Sequence, residues 1–179
     1  MQAIPEQPAD PEAARSGRLR KVAGTLQLCA AVVAIAALFW PVGEMTFRSS
    51  PDQPFSTQQV WFTDKVQIGE GGSTVTREDY YTWVGLPMAG FALLALVVAG
   101  ATLLLRSSGR TAAVSASLAT FAMTWMAHYV ALYGAAQPLE PDEVTVTVTL
   151  QAGGWALAVA VILVLGSLAT LAPGLRVRA

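Results

Sequence analysis

Residues 84–105 read VGLPMAGFALLALVVAGATLLL and contain no Asp, Glu, Lys or Arg. Three further apolar runs, at residues 22–40, 111–134 and 152–172, also lack these four residue types. A transmembrane helix needs about 20 predominantly apolar residues to cross the hydrocarbon core of a bilayer. The sequence therefore predicts an all-α membrane protein, in which residues 22–172 form a four-transmembrane-helix bundle.

The composition of the whole chain supports a membrane protein. Hydrophobic residues make up 54% of the chain and charged residues only 13%, with a mean hydropathy of +0.49. Soluble domains carry about 25% charged residues. Cys29 is the only cysteine, so no disulfide can form within the chain.

The charged residues predict how the bundle is oriented. Eight of the eleven Lys and Arg residues lie before the first run, between the second and third runs, or after the fourth run. Nine of the twelve acidic residues lie in the connecting segments 41–83 and 135–151. Cytoplasmic segments carry the excess of positive charge. We therefore expect a bacterial plasma-membrane protein with both termini in the cytoplasm and these two segments outside.

The chain has no Asn and only two Lys residues, a composition typical of a high-GC bacterium such as an actinomycete. The predicted cytoplasmic tails are residues 1–21 and 173–179. The first tail is rich in Pro, Glu and Ala, which favours disorder. It ends in a basic cluster that is expected to contact anionic lipid, formed by Arg15, Arg18, Arg20 and Lys21.

The two outer segments predict a small extracytoplasmic β-sheet. Residues 41–58 contain three prolines and are expected to be irregular, whereas residues 60–68 have apolar residues on one face of a strand. A glycine-rich turn at 69–73 lets residues 74–76 return as a second strand. Residues 144–150 alternate Val or Leu with Thr, a strong strand pattern. A third strand would stabilise an otherwise marginal hairpin.

This layout, with four helices, a long first outer loop, a short second one and a shared sheet, is similar to the tetraspan plan of the claudins. The resemblance covers topology only. The first outer loop has neither the Trp-Gly-Leu-Trp element nor the cysteine pair of the claudin signature. The resemblance therefore implies a fold and no function.

All tryptophans and tyrosines fall in the predicted outer half of the molecule. Aromatic belts normally mark both membrane interfaces, so a one-sided set is unusual. It leaves two interpretations open: interface anchoring with packing under the outer loop, and a docking surface for a partner. Exposed aromatic residues are typical anchors of protein interfaces. The candidates are Trp40, Trp61, Trp83, Trp125, Trp155, Tyr80 and Tyr81.

The third run carries a stripe of small and polar residues at every fourth position. Such residues let helices approach closely and form hydrogen bonds across the contact. We expect this stripe to pack inside the bundle, with Ser115 and Ala119 beside it. Gln27 in the first helix is expected to bond a neighbouring helix or a partner. The stripe consists of Ala112, Ala116, Thr120, Thr124 and His128.

His128 is the one candidate for a cofactor site, since a histidine in a membrane helix can bind haem or metal or relay protons. A second histidine is absent from the sequence, and a structural role is expected to be the better interpretation. We therefore predict no catalytic residue, no metal site and no cofactor.

The sequence predicts a non-catalytic accessory subunit of a larger plasma-membrane complex, such as a respiratory-chain or envelope assembly. Its expected partners are other integral membrane proteins and lipid, with no nucleic acid. Two alternatives remain open: a small homo-oligomeric transporter or channel, and a haem- or quinone-linked redox protein that uses His128.

Overall fold

The computed structural model of the protein describes residues 11–50, 53–63, 65–70, 73–77, 84–105, 109–134 and 145–176. The fold is mostly helical, with one small sheet. Its four long helices are α1 (Pro11–Ile35), α2 (Leu86–Leu105), α3 (Gly109–Gly134) and α4 (Ala152–Arg176). A short 3₁₀ turn, Ala36–Leu38, continues α1 towards the sheet.

Three helical segments are long and apolar enough to cross a membrane, and they are Ala14–Leu38, Leu86–Leu105 and Ala152–Ala172. This finding supports the prediction of a membrane protein. The fourth predicted span, residues 111–134, is not among them. Helix α3 is long enough, with 26 residues, but its Ser, Thr, Tyr and His side chains lower its mean hydropathy.

The prediction that residues 1–21 form a disordered tail is wrong from residue 11 onwards. Helix α1 begins at Pro11 and runs through the basic cluster without a break. Proline is favoured at the first helical position, where its missing N–H has no helical partner. The Ala, Arg, Leu and Lys residues that follow are good helix formers. Residues 1–10 and 177–179 lie outside the described residues.

The helices form a ring in which α1 and α3 each pack against both α2 and α4. Alanines dominate the core, together with a few larger side chains such as Leu96, Met126 and Leu157. Helices α1 and α2 approach closely at two glycines, where a Cβ on Gly100 would lie 2.8 Å from the carbonyl oxygen of Gly24. Small residues therefore set the helix spacing, as is common in membrane bundles.

The sheet has five antiparallel strands in the order β4-β3-β2-β1-β5. The first connecting segment supplies four of them: β1 (Gly43–Ser50), β2 (Gln53–Val60), β3 (Val66–Glu70) and β4 (Ser73–Arg77). The second supplies β5 (Thr145–Leu150), which pairs with β1. A small sheet shared by the two segments is thus confirmed.

Two details of the predicted sheet are wrong. Within the segment 41–58 that was expected to be irregular, residues 43–50 form β1 and residues 53–58 belong to β2. Pro54 is accommodated where the β1–β2 register shifts. The single strand 60–68 is interrupted by a turn, which the backbone N–H of Trp61 closes by donating to the carbonyl of Lys65 over 2.9 Å. The turn frees Phe62 to point into the protein, where it is fully buried.

The register gives the sheet one apolar and one polar face, because paired residues of neighbouring strands point to the same side. Met45, Val66, Val148 and Leu150 pack against the helical core. The opposite face carries mostly polar side chains, among them Glu44, Thr46, Thr57, Gln59, Thr147 and Thr149.

Close backbone contacts attach the sheet to one end of the bundle, which we call the sheet end. The ring of Tyr133, near the end of α3, occupies the space that a side chain on Gly43 would need. Phe62 meets Tyr129 of the same helix edge-on, with ring centroids 5.5 Å apart. The backbone N–H of Gly153 donates to the carbonyl of Pro41 over 2.9 Å. These contacts hold the start of α4 and the end of α3 against the sheet.

Candidate functional site

A buried hydrogen-bond network, which we call the polar node, links all four helices. The side-chain amide of Gln27 on α1 donates to Oγ of Ser167 on α4 over 2.9 Å. Ser115 Oγ on α3 lies 3.0 Å from Gln27 Oε1 and 3.0 Å from the carbonyl oxygen of Ala99 on α2, and its single hydroxyl proton is shared between these two acceptors. The prediction that Gln27 bonds a neighbouring helix is confirmed.

The polar node is sealed from its surroundings. Gln27, Ser115 and Ser167 are completely buried, and each contacts another member of the node. Among the side chains that the structure describes, no other Ser, Thr, Gln, His or charged side chain of the four helices is buried. A hydrogen-bonded polar cluster of this kind fixes the register of the helices against one another. The polar node therefore has a structural role, and its three side chains do not form a continuous polar path along the bundle.

The predicted packing stripe of α3 is wrong for its second half. Ala112 is buried and Ala116 is half-buried, but Thr120, Thr124 and His128 are exposed. An α-helix turns by about 100° per residue, so a strict four-residue repeat drifts by about 40° at each step. Over the whole stripe the drift is about 160°, which carries its end to the opposite side of the helix.

The side of α3 that packs into the bundle follows alternating steps of three and four residues. This spacing holds a constant direction on a 3.6-residue helix. The predicted neighbours of the stripe, Ser115 and Ala119, belong to the buried side. The spacing in the sequence could have identified these residues, which are Ser115, Ala119, Ala122, Met126, Tyr129 and Tyr133.

The exposed side of α3 carries the feature that we call the α3 polar face, formed by Ser117, Thr120, Thr124 and His128. These positions fall within about 80° of one another around the helix. The three hydroxyls donate to carbonyls of their own helix, at Ala113, Ala116 and Thr120, over 3.1, 2.8 and 2.9 Å. Each hydroxyl oxygen keeps lone pairs that can accept a bond from outside.

His128 belongs to a group of aromatic side chains near the sheet end of α3. Its ring stacks beside Trp125, with centroids 6.3 Å apart and an interplanar angle of 23°. Tyr129 meets both rings edge-on. The indole Nε1 of Trp125 is buried and has no hydrogen-bond partner in the described part of the chain. A buried indole N–H normally has an acceptor.

The other predicted aromatic anchors differ in exposure. Trp40, just after the 3₁₀ turn that follows α1, is 54% exposed, and Trp155 at the start of α4 is 64% exposed. Both remain candidate anchors. Trp61 is only 9% exposed and has the ammonium of Lys65 at 5.0 Å from its ring centroid. It is a packing residue instead of a docking one. Trp83, Tyr80 and Tyr81 lie outside the described residues.

The remaining candidates carry polar or reactive side chains at the surface. Arg15, Arg18 and Lys21 are exposed on α1, and Arg20 donates to Ser16 Oγ over 3.2 Å. Cys29 is free and exposed. No group of three or more His, Cys, Asp and Glu side chains that could hold a metal ion occurs within the described ranges.

The described side chains thus separate into a closed interior and one helix surface with unusual polarity. The interior is fixed by the polar node and by small residues. The surface combines the α3 polar face with the aromatic group around Trp125. The chain matches no protein family and no curated protein.

Proposed function

We propose that this protein is a non-catalytic accessory subunit of a larger plasma-membrane complex, and that another membrane protein covers the α3 polar face. The observation that supports this proposal most strongly is that the α3 polar face points away from the bundle. A helix with hydroxyls and a histidine places them away from its own bundle, where lipid would otherwise surround them.

Lipid is a poor neighbour for this surface. Hydrocarbon supplies no hydrogen-bond partner, so polar groups on membrane helices favour contacts with protein. The hydroxyls of Ser117, Thr120 and Thr124 are bonded to their own helix, but their oxygens remain available as acceptors. Their small size also lets a second helix approach closely. The imidazole of His128 has both hydrogen-bonding and stacking capacity to offer a partner.

The same proposal accounts for the modest hydropathy of α3. We propose that α3 crosses the membrane as the fourth span, with a protein neighbour in place of lipid along its polar face. The termini are then cytoplasmic and the sheet is outside, as the distribution of Lys and Arg favours. The basic residues of α1 would then meet the anionic inner leaflet. A respiratory-chain or envelope assembly of a bacterium is the host that we propose.

One alternative uses the same surface. Several copies of the chain could meet with their α3 polar faces around a central pore and form a small channel. The observation in its favour is again the outward direction of Thr120, Thr124 and His128. The polar node gives it no support, because its three side chains are sealed. The redox alternative stays a prediction that rests on His128 alone.

Affinity purification from the source organism tests the proposal. A C-terminally tagged chain is extracted in mild detergent, and the bound proteins are identified and quantified by mass spectrometry. We expect a membrane protein in stoichiometric amount. Thr120→Leu combined with Thr124→Leu should lower its recovery about tenfold, equivalent to about 1.4 kcal/mol of binding free energy.

Thr25→Leu is the matched control, because Thr25 is an exposed threonine on α1 and receives the same substitution. It should leave recovery unchanged. A chain that is recovered alone contradicts the accessory-subunit proposal. A chain that is recovered only with itself, and that conducts ions in liposomes, would establish the channel instead.

A further inference from the structure

Strand β5 occupies one edge of the sheet, and its outward backbone groups are the basis of a second interaction. The order β4-β3-β2-β1-β5 places β1 on one side of β5 and no described strand on the other. An edge strand presents a row of N–H and C=O groups that can pair with another chain. Proteins normally protect such edges with charged residues, proline or bulges.

None of these protective features occurs in β5 itself. Thr145–Leu150 reads TVTVTL, without charge and without proline. Its pairing with β1 is regular over all six residues. The strand at the other edge, β4, ends in Arg77, a charged residue of the kind that blocks edge pairing. The two edges therefore differ: among the described strands, β5 is the edge strand without a charged residue or a proline.

We infer that β5 pairs antiparallel with β5 of a second copy of this chain. The sequence of β5 suits self-pairing because one face of the strand carries only threonine and the other only valine and leucine. Antiparallel pairing keeps paired residues on one face of the sheet. Threonine of one copy therefore faces threonine of the other, and valine or leucine faces valine or leucine. Both kinds of pair stabilise a sheet, by hydroxyl bonding and by β-branched packing respectively.

The symmetry of this pairing suits two copies in one membrane. A two-fold axis perpendicular to the sheet relates the two β5 strands and joins the sheets into one of ten strands. Val148 and Leu150 pack against the helical core, so the apolar face is turned to the bundle. With such an axis, the apolar faces of both copies remain on the side of the bundles. Two-fold symmetric dimers are also the commonest closed assemblies.

The pairing rule limits the register to a few alternatives. The axis must pass midway between the two copies of one residue, since an axis at a point between two residue positions would oppose threonine with valine or leucine. With the axis at Thr147 or Thr149, that residue faces its own copy. With the axis at Val148, Thr147 of one copy faces Thr149 of the other. Single cysteines at the two threonines, tested alone and mixed, therefore cover the central registers.

Disulfide trapping of the purified full chain in nanodiscs tests this inference. In a Cys29→Ser background, Thr147→Cys, Thr149→Cys and their mixture are oxidised gently. Directly opposed residues of antiparallel strands have Cα atoms about 4.5–5.5 Å apart, within the range of a disulfide. We expect a covalent dimer in at least one of the three samples. Thr57→Cys is the control, since Thr57 lies on the same polar face but in an interior strand.

A second measurement follows the mass of the particle by sedimentation or mass photometry. The unmodified chain should be a dimer, and Thr147→Lys with Thr149→Lys should weaken dimerisation at least tenfold, because lysine on an edge opposes pairing. Thr57→Lys should leave the dimer intact. A monomeric unmodified chain, a dimer that survives the paired lysines, or equal trapping at Thr57 would overturn the inference. Since the lysines lie far in sequence from Thr120 and Thr124, recovery of the proposed partner tests the other surface separately.

Discussion

Gln27 on α1 and Ser167 on α4 are 140 residues apart in the chain and are joined by a buried hydrogen bond of 2.9 Å. Together with Ser115, this pair connects the first helix of the chain with the third and the fourth. The amide of Gln27 has both a donor and an acceptor, so it can serve two serines at once. A single side chain therefore fixes the relative positions of three helices.

We predict that Gln27→Leu destabilises the bundle by about 1–2 kcal/mol, the range for losing an interhelical hydrogen bond and leaving a buried partner unsatisfied. Adding Ser115→Ala and Ser167→Ala should restore part of this loss, because no unpaired polar group then remains. Unfolding of the detergent-solubilised protein, followed by circular dichroism, measures both effects. Thr25→Leu is the control at an exposed position of α1. Equal stability of Gln27→Leu and the unmodified chain would show that the node contributes nothing.

Two glycines of α2 should respond to the same substitution in opposite ways. A Cβ on Gly100 would lie 2.8 Å from the carbonyl oxygen of Gly24, whereas one on Gly90 meets nothing within 4 Å. Gly100→Ala should therefore separate α1 from α2 and lower the unfolding temperature. Gly90→Ala should be neutral or stabilise the helix by up to about 1 kcal/mol. The comparison fails if the two variants unfold at the same temperature.

The attachment of the sheet should depend on Phe62. Its side chain is fully buried and meets Tyr129 edge-on at 5.5 Å. Phe62→Ala should cost about 3–5 kcal/mol, as is typical of buried phenylalanine, and should release the sheet from α3. Hydrogen exchange of the strand amides should rise by more than tenfold while the helices stay protected. Phe39→Ala, at an exposed phenylalanine, is the control and should change neither the stability nor the hydrogen exchange of the strands. Strand amides that stay protected in Phe62→Ala would show that Phe62 does not attach the sheet to α3.

The proposed orientation predicts opposite labelling of two cysteines in intact cells. In a Cys29→Ser background, Thr57→Cys on the sheet should react with a membrane-impermeant maleimide. Gly17→Cys on the first turns of α1, where a side chain has open space, should react only after the cells are broken. Labelling of Gly17→Cys in intact cells, with Thr57→Cys protected, would reverse the orientation.

The sequence predicts the helices well because the bilayer imposes a strong and local requirement. The apolar runs at 84–105 and 152–172 begin within two residues of α2 and α4. The alternation of Val or Leu with Thr at residues 144–150 also predicts β5 closely, since β5 spans Thr145–Leu150. Gln27 could be identified because an amide in an apolar run must find a partner.

The parts that were not predicted depend on long-range pairing. Met45 and Phe47 alternate with polar residues in β1, but the prolines at 51 and 54 favoured an irregular segment over two strands. One of the two strands that pair with β1 is β5, about one hundred residues later in the chain, and no local pattern specifies that pairing. The direction of the α3 polar face was mispredicted for a different reason. An α-helix has 3.6 residues per turn, so residues at every fourth position do not stay on one side of it.

The most direct test of the central claim is photocrosslinking in the source organism at single positions along the bundle surface. A photoreactive amino acid replaces Thr120 or Thr124 on α3, and Leu94 on α2 or Ile162 on α4, all of which are exposed. The account predicts a discrete crosslink to another membrane protein at the α3 positions and crosslinks to lipid alone at Leu94 and Ile162. Lipid crosslinks alone at Thr120 and Thr124 would contradict the claim that a protein partner covers this face.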